Sequence, residues 1–134
     1  MKFNIDKALE ILEQTPNTLK SLLENLSNDW VLVNEGKETW SAFDVIGHLI
    51  HGENTDWIPR LKIILFESNK QFIPFDRFAQ FENSKGKNLT QLLSEFKKLR
   101  AENLKYLKSL SLTESQLNLT GIHPEFGIVT TKDR

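Results

Sequence analysis

The sequence predicts an all-α protein, a bundle of long amphipathic helices forming a single domain over residues 1–134. Apolar residues recur in steps of three and four, as at Leu19, Leu22, Leu23 and Leu26, and along a seam of Leu89, Leu92, Phe96, Leu99, Tyr106 and Leu110 that only Asn103 interrupts. Helix-start signals stand before these runs: Thr15-Pro16, Ser41 with Asp44, Asn88, and Thr113 with Gln116. The length of 134 residues and a hydrophobic content of 39% suit one domain with a real core.

The elements follow in chain order. Ile5, Leu9 and Leu12 share a helical face from about Asp6 to Gln14, and Pro16 then restarts or kinks the helix. The second stripe ends near Ser27-Asn28-Asp29, and Val31 to Lys37 reads as a loop around Gly36. Ser41 and Asp44 open the central helix: the hydroxyl accepts from an otherwise unpaired N–H, and the carboxylate sits at the positive end of the helix dipole. Pro59 cannot donate to the Thr55 carbonyl, which predicts a kink before the helix finishes near Glu67. Phe66 to Asn88 shows little periodicity and reads as an ordered loop whose phenylalanines, Phe72, Phe75, Phe78 and Phe81, pack over one end of the bundle. A helix from Asn88 to about Leu110 and a short turn ending near Leu119 come next. Gly121 to Gly127 is a turn segment, in which His123 precedes Pro124 and is expected to be exposed. Thr130 and Thr131 are good N-caps, with Lys132, Asp133 and Arg134 beginning a helix behind them.

The central helix is unusual for its ligand-capable groups. His48 falls just beyond the edge of the apolar face, and His51 lies three residues on. Either histidine can be a hydrogen-bonded structural residue or a metal ligand, and the pair alone falls short of the three or four ligands that zinc takes. Glu53 lies within the apolar stripe, where a carboxylate must be protonated or needs a partner, either Arg60 or a group on another helix. Gly52, one turn after His48, removes a side chain where a ligand or helix can approach. Asn103 can fix the register of its seam or look into a polar pocket.

Composition excludes several functions. Seventeen basic residues against eighteen acidic ones are interspersed, leaving no polyanion footprint, so neither nucleic acid nor a membrane surface is expected as partner. The absence of cysteine excludes disulfides, thiolate ligands and a cysteine nucleophile. Neither a signal-like run nor a membrane span is visible, and the expected location is the cytoplasm.

Five stretches in order, Trp40–Leu49, Glu53–Arg60, Phe75–Ala79, Leu99–Leu104 and Gly121–Thr130, together resemble the DinB-like superfamily, with its YfiT-like metal-dependent hydrolases. The resemblance covers essentially the whole chain and implies an up-down-down-up four-helix bundle. It also implies a divalent metal, nickel or zinc, held by three histidines. His48 matches the family's histidine on the second long helix. The other two belong to a histidine-x-x-x-histidine pattern on the fourth helix, beyond Thr130 in the alignment.

The sequence looks one helix short, with the fourth helix missing or supplied by another chain, so metal affinity is expected to collapse to what His48 alone provides. His51 and Glu53 are subsidiary ligand candidates, and no catalytic residue is assigned. The resemblance implies a hydrolase or thiol S-transferase acting on a small molecule in the intact form. The alternative is a non-catalytic helical protein whose open apolar groove forms a homodimer or takes a partner helix.

Overall fold

The structure is a computed structural model that describes residues 2–133; Met1, and Arg134 with its expected place in a terminal helix, lie outside the described residues. The helix α1 spans Ile5–Leu23, with the Asn4 side chain accepting from the Lys7 N–H at 3.1 Å. It neither stops nor restarts at Pro16. Proline cannot donate to the carbonyl four residues back, which here is Leu12. That carbonyl instead accepts from Nη1 of Arg100 at 2.9 Å, so the helix runs on because a distant side chain replaces the missing donor.

A single turn α2 (Asn28–Val31) and a loop lead to α3 (Ala42–Thr55). The predicted capping box is present: Ser41 Oγ accepts from the Asp44 N–H at 3.1 Å, and an Asp44 carboxylate oxygen accepts from the Ser41 N–H at 3.0 Å. The helix then breaks at Asp56 (φ −103°, ψ −87°) and resumes as α4 (Trp57–Phe66). The kink expected at Pro59 is therefore a break three residues earlier. Pro59 falls in the first turn of α4, where its missing N–H would have no intrahelical partner.

Residues 67–78 contain no helix, and a short α5 (Ala79–Ser84) follows within what reads as loop in the sequence. The helix α6 (Leu89–Ser109) carries the predicted Asn88 cap, with Gln91 closing a capping box. The core joins Ile46 and Ile50 of α3 to Leu92, Leu93 and Phe96 of α6, flanked by Leu19 and Leu23 of α1. Burying side chains of this kind stabilises by about 1.5–3 kcal/mol each.

After α7 (Glu114–Leu117), the expected turn segment is a two-stranded antiparallel hairpin, β1 (Thr120–His123) with β2 (Gly127–Thr130), in which Ile122 faces Ile128. The Phe72 N–H donates to the Ile122 carbonyl at 2.9 Å and the Ile122 N–H to the Lys70 carbonyl at 2.7 Å, tying the hairpin to the chain behind α4. A 3-10 turn, Thr131–Asp133, stands where a helix start was expected. The long helical arms are thus α1, the α3–α4 pair and α6, the all-α architecture that the periodicity predicts. Among the described residues no helix is long and apolar enough to cross a membrane.

Candidate functional site

Two polar clusters lie along α3. The first is centred on Glu53, which is 3% exposed. Its carboxylate pairs with Nε of Arg100 and accepts from Trp57 Nε1 at 2.6 Å and Asn103 Nδ2 at 2.8 Å; the same amide also reaches the Glu53 carbonyl at 2.9 Å. Charge-assisted bonds from three side chains are what permit a carboxylate inside an apolar stripe. The partner is therefore α6 rather than Arg60, whose Nη1 lies 3.0 Å from Asp56 while its guanidinium stacks on Phe72. Asn103 interrupts its seam in order to meet Glu53. Arg100 joins α6 to α1 and α3 at once, through Leu12 and Glu53.

The second cluster surrounds His48, half-buried one turn into α3 from the capping box. Its Nδ1 lies 3.1 Å from Oε1 of Gln80, on α5, and its ring lies against Trp40 and Phe75 at centroid distances of 5.0 and 5.5 Å. In a neutral imidazole one nitrogen carries the proton and the other the lone pair. An oxygen acceptor at Nδ1 leaves the lone pair on Nε2, the form in which an imidazole binds a metal or takes a proton.

His51 also packs on Phe75, at 4.7 Å, but its Nε2 donates to the Asp76 carbonyl at 2.7 Å. The nitrogen it has left is Nδ1, on a residue only 6% exposed, whereas the half-buried His48 offers Nε2. Phe75 contacts both rings. His123, half-buried rather than exposed, lies on the hairpin with Nδ1 accepting from the Glu125 and Phe126 N–H groups at 3.0 and 3.2 Å. Among the described residues, no three histidine, cysteine, aspartate or glutamate side chains gather closely enough to hold a metal ion.

No other helix closes on Gly52, since a Cβ there would meet nothing within 4 Å. Gly47 does: a Cβ on it would lie 2.7 Å from Ser84 Oγ, so the glycine beside His48 admits α5 and with it Gln80. Gln80 and Arg100 were not legible as site residues. Gln80 sits in an aromatic stretch without periodicity, 32 residues from the histidine it meets. Arg100 and Asn103, one turn apart on α6, offer the one local hint that a carboxylate is to be met.

The chain is similar to YfiT from Bacillus subtilis, described as a probable metal-dependent hydrolase with an unusual four-helix bundle topology. The identity is 25%, the TM-score is 0.80, and the match covers 96% of this chain and 73% of that one. No curated protein matches the chain. The profile of the DinB superfamily matches residues 11–134, nearly the full length with both polar clusters inside it. The chain belongs to the DinB superfamily.

Proposed function

We propose that His48 is one ligand of a divalent-metal site, zinc or nickel, and that the completed site performs hydrolysis or thiol S-transfer on a small molecule. The observation that supports this reading is the presentation of His48: half-buried, braced by two aromatic rings, with Nδ1 engaged and the Nε2 lone pair left over. The likeness to YfiT supports the metal-dependent chemistry. The donor set fits one corner of such a site and does not fit the whole, because a zinc enzyme takes three protein ligands and keeps an open position, and no such trio exists among the described residues. The remaining ligands would come from a further bundle helix outside these residues. Glu53, whose carboxylate already meets Arg100, Trp57 and Asn103, would have to leave those partners to serve as a ligand.

Titration of the 134-residue protein with Zn(II) and Ni(II), followed by the imidazole resonances, tests the reading. The expected result is weak binding that perturbs His48 first and disappears in His48→Ala. Binding that is unchanged by His48→Ala refutes it.

A second reading, a non-catalytic protein that pairs with a second copy, is favoured by the exposed face of α1, where Ile11 and Leu22 are 71% and 64% accessible. Light scattering decides it: a dimer dispersed by Ile11→Glu and Leu22→Glu supports pairing, and a monomer at high concentration removes it.

A further inference from the structure

We infer that Gln80 is a positioning residue that sets the tautomer of His48, holding the proton on Nδ1 so that Nε2 is the nitrogen presented to a ligand. This rests on the reading of His48 as the ligand histidine, and it names the residue that makes the imidazole competent.

The chemistry of the contacts fixes the arrangement. Gln80 is 1% exposed, and its amide touches two groups on α3. One end lies 2.8 Å from the backbone carbonyl of Asp44, which can only accept, so that end must be the NH2 group. The other end is therefore the oxygen, which also can only accept. The nitrogen it meets, His48 Nδ1 at 3.1 Å, must supply the hydrogen. Because the Asp44 carbonyl belongs to the first turn of α3, the helix backbone decides the direction of the amide and the amide decides the tautomer. With the opposite tautomer, two lone pairs would face each other beside an amide that is itself buried, which disfavours that form.

Local packing serves the same end. Gly47 lets α5 lie against α3, with Ser84 Oγ and Gln80 Nε2 at 2.7 and 3.8 Å from where a Cβ would be. Trp40 and Phe75 restrict the imidazole plane from other directions. A histidine that was merely filling space would not need a buried amide whose two ends are both used. Partners of this kind, behind a ligating imidazole, typically change metal affinity roughly 10- to 100-fold when removed.

The test is a long-range 1H–15N correlation of the metal-free protein with 15N-labelled histidine, at about pH 8 where an ordinary imidazole is neutral. The wild-type protein is expected to show His48 as the Nδ1–H form. In Gln80→Leu, which keeps the volume and removes the acceptor, the Nε2–H form is expected to appear, and Ni(II) binding at His48 is expected to weaken roughly 10- to 100-fold. An Nε2–H form in the wild-type protein overturns the inference, and this holds even if Gln80→Leu does not fold. A tautomer unchanged by Gln80→Leu also overturns it. If the tautomer shifts as expected while Ni(II) leaves the His48 resonances of the wild-type protein untouched, the positioning role stands and the metal reading fails.

Discussion

Pro16 and Arg100 should be energetically coupled although they stand on different helices, because both act on the Leu12 carbonyl. Pro16 removes the N–H that would have bonded it, and Arg100 Nη1 replaces that donor at 2.9 Å. Arg100→Lys keeps a cation for Glu53, but a single ammonium does not span the carboxylate and the carbonyl as the guanidinium does. The variant leaves a partly buried acceptor without its donor, at a cost of about 1–3 kcal/mol. In a Pro16→Ala background the alanine supplies an N–H that bonds the Leu12 carbonyl within the helix, and that part of the cost should vanish. The double-mutant cycle should therefore show a coupling of about 1 kcal/mol or more, with Arg100→Lys milder once the proline is gone. Urea unfolding followed by helical ellipticity measures all four proteins, and an unchanged slope confirms that stability alone has moved. Additivity within about 0.5 kcal/mol would refute the shared-carbonyl account.

Three further variants separate this fold from what the sequence pattern suggests. Asn103→Leu completes the apolar seam of α6, yet it should lower stability by about 1.5–3 kcal/mol because Glu53 loses an amide donor; a urea midpoint equal to or above the wild type would show that this donor is dispensable. Gly121→Ala should lower stability by about 1–3 kcal/mol, read as a fall in Tm, since the new methyl would press into the Phe72 ring and lie 2.9 Å from Ile64. Gly52→Ala should be neutral or stabilising by up to about 1 kcal/mol, because it adds helix propensity where a Cβ meets nothing within 4 Å; a loss of stability there would reveal an approach that the structure does not contain.

Local features of this fold can be read directly from the order of its residues. The Ser41–Asp44 capping box, the Asn88 start of α6 and the Thr113 turn are each written within four residues, because a cap needs only a side chain and the N–H groups of the next turn. The apolar stripes and the order of the family stretches likewise identified the all-α class and the superfamily. What remained open were choices among partners. Pro16 and Pro59 carry the same local prohibition, yet one helix continues and the other gives way to a break at Asp56; the difference at Pro16 is a guanidinium arriving from α6. Glu53 had to be paired or protonated, and only the packing of α3 on α6 gave it Arg100 rather than Arg60. His48 was legible as a candidate through its resemblance, while its tautomer depended on Gln80, delivered by a short helix that has no periodic signature. Hydrogen bonds between elements are made by direction and distance in three dimensions, and a one-dimensional pattern records neither.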